Sequence, residues 1–171
     1  ETSHCIENFR IAAGEAEGDF EGAVFQDTDV AKWLEAVAYS LAVEPDEHLS
    51  YLADKTINLI GRAQCEDGYL NTYFTIKDPS KRWTNLKEGH ELYTAGHMTE
   101  AAVAYYKATG KTEFLDIMKK FADLICRTFG PEEGQNHGYP GHQEIELALI
   151  RLYHVTGNKK YLETAKYFID R

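Results

Sequence analysis

Basic charge is scarce in this sequence. Eighteen Lys and Arg stand against 28 Asp and Glu, a formal net charge of −10 over 171 residues. Such a chain repels a phosphate backbone and an anionic bilayer surface, which argues against nucleic acid and membranes as partners. No apolar run approaches the ~20 residues that a spanning helix needs, and no signal-peptide pattern opens the chain. Cysteine is sparse too: Cys5, Cys65 and Cys126 are odd in number, about 60 residues apart and without a CxxC. That spacing predicts buried thiols and gives no sign of an oxidising compartment. GxGxxG, Walker, GxSxG and HExxH signatures are all missing.

What is present is globular. The chain is 43% hydrophobic, 12% aromatic and 27% charged, and its length suits one domain. It opens at Glu1 without Met and stops at Arg171 within a helical pattern, which reads as a piece of a longer protein. The stretch Ala108-Thr-Gly-Lys-Thr-Glu-Phe-Leu-Asp116 recurs 47 residues later as Val155-Thr-Gly-Asn-Lys-Lys-Tyr-Leu-Glu163. A weaker copy aligns Pro45 with Gly110. Self-similarity of this period signals stacked helical hairpins. Apolar residues recur at steps of three and four on both sides of Pro45, Gly110 and Gly157, as in Val30, Trp33, Leu34, Val37 and Leu41. Strand-type alternation is nearly absent. The fold expected is all-α, with three αα-hairpins.

The links between hairpins are long and unlike each other. Residues 62–89 carry Tyr69, Tyr73, Phe74 and Trp83, and residues 129–141 carry four glycines, two prolines and His137. Long loops rich in aromatic and polar groups are where binding usually happens. A solenoid repeats at roughly 33–47 residues with similar loops, whereas the spacings here are about 65 and then 47. Unequal, decorated loops favour an arc of a helical toroid, about half of one, with loops converging on a pocket. The region around Gly14, Gly18 and Gly22 reads as irregular.

Several residues could carry chemistry, each against a structural alternative. His90 and His97 share a helix face but stand two turns, ~10.5 Å, apart, too far to hold one metal by themselves. Each could donate hydrogen bonds to a hydroxylated ligand, or be a hydrogen-bonded structural histidine. His142 lies just after Gly141, where backbone can approach a ligand or another helix closely. Glu144 and Glu146 suit the positive end of the helix that follows. Asp27 and Asp29 could form an acid/base element, but cap and first-turn roles are the stronger reading.

Five segments occur together and in order: Glu7-Asn-Phe-Arg-Ile-Ala-Ala-Gly14, Val24-Phe-Gln-Asp-Thr-Asp-Val-Ala-Lys-Trp-Leu-Glu35, Asp67-Gly-Tyr-Leu-Asn-Thr72, His90-Glu-Leu-Tyr-Thr-Ala-Gly-His97 and Gly141-His-Gln-Glu-Ile-Glu-Leu-Ala-Leu149. Together they resemble the β-L-arabinofuranosidases of glycoside hydrolase family 127, the group once called DUF1680. The resemblance implies that residues 1–171 are the N-terminal half of an (α/α)6 barrel catalytic domain. It also implies a retaining hydrolase with a zinc-bound cysteine nucleophile and a glutamate acid/base. The family's Glu-x-Cys and Cys-Cys elements do not occur in this chain. No catalytic residue is therefore assigned, and zinc and its ligands are expected only in the full-length enzyme. His90 and His142 match family histidines that hydrogen-bond the sugar; Asp29 and His97 fall in matching segments and take a pocket-shaping role. The expected partner is a carbohydrate. The isolated piece is expected to be inactive and to self-associate through its exposed half-barrel face. Two other readings remain: another toroid sugar enzyme, such as an unsaturated uronyl hydrolase or an epimerase, and a non-catalytic αα-repeat scaffold.

Overall fold

The structure, a computed structural model, describes residues 3–171, so Glu1 lies outside the described residues. Its helices are α1 (Cys5–Ala12), α2 (Asp27–Val43), α3 (Glu47–Ala63), α4 (Thr72–Lys77), α5 (Glu91–Thr109), α6 (Glu113–Thr128), α7 (Ile145–Thr156) and α8 (Lys159–Ile169). The described residues form no strand. The expected hairpins are α2–α3, α5–α6 and α7–α8, and the two repeat copies are their turns. Gly110 closes α5 at φ 74° and Gly157 closes α7 at φ 69°, the left-handed cap that glycine adopts without a Cβ penalty. In the first hairpin, the Asp46 carboxylate accepts from the Leu49 N–H at 2.9 Å and starts α3.

The hairpins stack in two layers. α2, α5 and α7 pack side by side in one, and α3, α6 and α8 form the other. Central in its layer, α5 is flanked by α2 and α7 and backed by α6, and its buried set covers nearly the whole circumference. Alanines at 95, 101, 102 and 104 and Gly96 keep its neighbours close. The second-layer helices are amphipathic, as single-sided packing requires. Large exposed apolar side chains occur on α2 and α3 (Trp33, Tyr39, Val43, Tyr51, Leu52) and on α7 and α8 (Leu147, Leu162, Ile169). The α5–α6 hairpin between them carries none of these. Trp33, expected in the α2 core stripe with Val30, Leu34 and Val37, is 39% exposed at the edge of that stripe.

The segments around the hairpins are more ordered than the sequence suggests. Residues 5–12 form α1, which buries Cys5 and Phe9. Asn8 clamps the following glycine-rich stretch by donating to the Glu21 carbonyl at 2.8 Å and accepting from its N–H at 3.1 Å. In the 62–89 link the aromatic residues turn inward. Tyr69 is fully buried against Trp83 and Phe121, and Trp83 packs edge-on to Phe129. Tyr69 and Phe74 belong to the main core, and Tyr73 and Trp83 pack against it. Of the three cysteines only Cys5 is buried; Cys65 and Cys126 are half-buried, and no disulfide joins them.

Candidate functional site

The first-layer helices all begin at one end of the molecule, where the segments just ahead of them meet. Phe25 precedes α2, His90 caps α5 and His142 lies shortly before α7. The His90 and His142 rings lie 4.7 Å apart at 34°, Phe25 packs 5.0 Å from His90, and Tyr93 stands 5.8 Å from His90 and 5.6 Å from His142. His97, two turns into α5, packs edge-on to Tyr93 at 4.6 Å. Lys32 of α2 holds its ammonium 5.9 Å from the Tyr93 ring centre.

Each position has a local cause. His90 sits at φ 53°, a left-handed conformation that a non-glycine residue holds only when its surroundings impose it. The constraint is Glu91. Its carboxylate is buried and accepts from Tyr69 Oη at 2.5 Å and from the Trp83 N–H at 2.8 Å, tying the 62–89 link to the first turn of α5. Burial pushes this carboxyl up to about 7, against the opposing pull of the Tyr69 hydrogen bond. The His90 ring has its own anchor: Nδ1 lies 2.7 Å from the Glu88 carbonyl. A carbonyl can only accept, so Nδ1 carries a proton and, in the neutral ring, Nε2 is left as an acceptor. His142 is placed by glycine. A Cβ on Gly141 would stand 2.5 Å from Lys87 Cα, and the Gly141 N–H reaches the Leu86 carbonyl at 3.3 Å. The loop ahead of α7 therefore presses directly on the loop ahead of α5, and His142 lands exposed beside His90.

Asp29 is elsewhere. Exposed on α2, it accepts from Gln26 Nε2 at 2.8 Å and faces Cys5 of α1. Neither aspartate caps α2, whose N-cap Gln26 makes no side-chain cap bond, but both lie in its first turn as expected. Asp27 is buried and accepts from the Thr72 N–H at 2.8 Å, fixing the start of α4; burial pushes its carboxyl up to about 6. Glu144 makes no cap bond either. It reaches across to α5, where its Oε1 faces His97 Nδ1 at 3.2 Å. Burial foremost, then the neighbouring Glu100, raises its carboxyl to about 8, while burial lowers the His97 pKa. Phe25, Tyr93, Lys32 and Glu100 were not singled out from the sequence. The spacing of His90, Tyr93 and His97 at i, i+3 and i+7 on one face held the signal for Tyr93.

Among the described residues, His97, Glu100 and Glu144 are the group of side chains close enough to share an ion. Arg151 already meets it: its Nη1 lies 2.9 Å from Glu100 Oε1, in the place of a cation. The cysteines lie apart from this cluster, in three environments of their own. Cys5 Sγ contacts Gln26, Arg82 Nη2 is 3.1 Å from Cys65 Sγ, and Cys126 lies near the Lys160 carbonyl with its thiol pKa raised by burial. The residues of this chain do not fit a zinc–thiolate site. What the histidine end offers is a set of hydrogen-bonding imidazoles and a phenol beside exposed aromatic faces. That suits a neutral, hydroxylated ligand with apolar C–H faces.

A family profile described as the β-L-arabinofuranosidase GH127 catalytic domain matches residues 1–171. A non-reducing end β-L-arabinofuranosidase of Bifidobacterium longum subsp. longum is 50% identical over 98% of this chain, which spans 26% of that enzyme. The solved GH127 β-L-arabinofuranosidase of Geobacillus stearothermophilus T6 is 66% identical with a TM-score of 0.98, over 99% of this chain and 27% of its own. A second solved GH127 β-arabinofuranosidase superimposes with a TM-score of 0.93 at 44% identity, over 98% of this chain and 28% of its own. The chain thus spans about a quarter of the length of these relatives, and an all-helical toroid segment is the part it shares with them. With the profile matched over all 171 residues and a solved relative 66% identical across 99% of the chain, the chain belongs to the GH127 β-L-arabinofuranosidase catalytic-domain family.

Proposed function

We propose that the full-length protein hydrolyses β-L-arabinofuranosides, and that this segment holds the sugar through His90 and His142. One observation carries the reading: two histidines 52 positions apart are brought to 4.7 Å at the common end of the first-layer helices, beside Phe25 and Tyr93. Two imidazoles fixed side by side can bridge neighbouring hydroxyls and hold a furanoside ring in one orientation. Fixed orientation lowers the barrier of the step that follows by removing freedom before reaction. The Nδ1 anchor of His90 leaves its Nε2 to accept from a sugar hydroxyl. Phe25, 41% exposed, offers an apolar face to the sugar's C–H groups.

The zinc-bound cysteine and the glutamate acid/base are proposed to come from parts of the enzyme outside these 171 residues, since Cys5, Cys65 and Cys126 occupy three unrelated environments. The isolated segment is then inactive. It is also proposed to self-associate through the apolar surface of its end hairpins. The test of function is L-arabinose release from a β-L-arabinofuranoside by the full-length enzyme, with and without a zinc chelator. Chelator-sensitive release is expected. Folded, zinc-loaded enzyme that releases no arabinose would move the substrate to another sugar.

A further inference from the structure

Three carboxylates and one guanidinium meet where the first-layer helices face each other, near His97 of α5. Glu35 comes from α2, Glu100 from α5, Glu144 from the start of α7 and Arg151 from the middle of α7. Arg151 Nη1 stands 2.9 Å from Glu100 Oε1 and 3.5 Å from Glu35 Oε1, and Tyr39 Oη donates to Glu35 at 2.8 Å. One positive charge therefore faces three carboxyl groups. Carboxyl oxygens of Glu100 and Glu144 and a ring nitrogen of His97 all lie within 4.8 Å of one another. Glu100 is 6% exposed, and its Oε1 and that of Glu144 are buried without an aligned hydrogen bond. The approach is built into the backbone. A Cβ on Gly96 would meet Glu144 Cγ at 2.6 Å and the Ile145 nitrogen at 3.0 Å, so only glycine on α5 lets the start of α7 come this near.

Two carboxylates this close and this poorly solvated cannot both stay ionised cheaply, and burial makes a bare carboxylate oxygen costlier still. One proton answers both demands: it removes the excess negative charge and supplies the missing hydrogen bond. We propose that Glu100 and Glu144 hold a single proton between them, and that this pair, with His97 and Tyr93, is the positioning network that sets the His142 segment against His90. Glu144 lies two residues from His142, and His97 packs on Tyr93, which touches both histidines. Removing the proton sets two negative charges against each other and pushes the start of α7 off α5, carrying His142 with it. The groups that face the pair are Glu35 from α2, His97 on α5 and Arg151 on α7, with Tyr39 of α2 bonded to Glu35 and Lys32 of α2 acting on His97. Burial foremost, then Lys32, lowers the His97 pKa against the pull of Glu100, which disfavours a compensating positive charge on that imidazole.

The consequence for sugar binding rests on the proposed function; the shared proton does not, and the experiment separates them. In the full-length enzyme, wild type is compared with Glu144→Gln and Glu100→Gln, whose amides replace the proton permanently, and with Glu144→Ala. The Glu144 pKa is raised from 4.5 to about 8 in the folded state, so the fold binds extra proton between those values. Stability then falls as pH rises from about 4.5 to 8. The Tm of Glu144→Gln, taken relative to wild type, is expected to climb across that window. The wild-type KM for a β-L-arabinofuranoside rises about fivefold above pH 8, on the scale of one hydrogen bond, while that of Glu144→Gln stays flat and kcat follows the wild-type profile. Glu144→Ala raises KM at every pH. If Glu144→Gln does not fold, Glu100→Gln carries the same test. Parallel Tm profiles for wild type and both amides would overturn the proposal, as would equal KM losses in Glu144→Gln and Glu144→Ala. So would Tm stabilisation of wild type by added Zn²⁺ or Ca²⁺ that Glu144→Gln lacks, since an ion would then hold the pair. The expected Tm profiles in an enzyme that cleaves no arabinofuranoside would leave the shared proton standing and refute the function.

Discussion

Single side chains decide where the histidines stand, and Glu91 is the clearest case. It is the residue after His90, and its carboxylate satisfies the Tyr69 hydroxyl and the Trp83 N–H while holding His90 at positive φ. Glu91→Ala leaves the buried Tyr69 hydroxyl and the part-buried Trp83 N–H unpaired, a cost of ~2–4 kcal/mol, and is expected to lower the Tm of the full-length enzyme by about 2–4 °C. Thermal melts of Glu91→Ala and Glu91→Gln check this, the amide losing less. A melt within a degree of wild type would show that the lock is not needed. None of it was legible beforehand. Glu91 reads in sequence as a first-turn acid suited to the helix dipole, and only the fold shows that it is buried under a loop whose Tyr69 lies 22 residues earlier. His90 and His142 stood out in the sequence because they lie in segments whose order is itself a signal, and the fold sets their rings 4.7 Å apart. Asp29 and His97 sat in the same segments: His97 packs on Tyr93 and meets Glu144, whereas Asp29 accepts from Gln26 and faces Cys5 of α1. Position in a matching segment does not fix the direction in which a side chain points.

Helices were read more securely than the links between them. The repeat located the α5–α6 and α7–α8 turns because Gly110 and Gly157 occupy the left-handed caps that end their helices. Its periodicity also held: Leu34, Val37, Ile57, Phe121 and Phe168 are buried as their spacing requires. The links went differently. Residues 62–89 read as a binding loop because they are rich in aromatic and polar residues, but Tyr69, Phe74 and Trp83 close over the core and only the end of the link, at 86–90, reaches the histidines. α1 and α4 are short, and lone helices of that length draw their stability from tertiary contacts that a local pattern does not record. Asp27 is one such contact, buried under α4 and bonded to Thr72.

At the scale of the whole molecule, the row of hairpins is open at both ends. Large exposed apolar side chains lie on its two terminal hairpins: Val43 is 88% exposed, Ile169 63% and Tyr51 60%. Such surface normally seeks cover. Sedimentation of the isolated segment is expected to show dimers or larger species, and a monodisperse monomer with a cooperative melt would contradict this. That all-helical toroid segment was legible from the unequal loops and the family resemblance together. The charge network inside it was not, because it joins residues of three helices that no sequence pattern pairs. The central claim is that this segment grips the sugar, and kinetics of the full-length enzyme on a β-L-arabinofuranoside test it most directly. His142→Ala should lower kcat/KM at least about tenfold, ~1.4 kcal/mol of transition-state binding, with an unchanged Tm, and His90→Ala should do the same. Unchanged kcat/KM in a folded His142→Ala enzyme would contradict it.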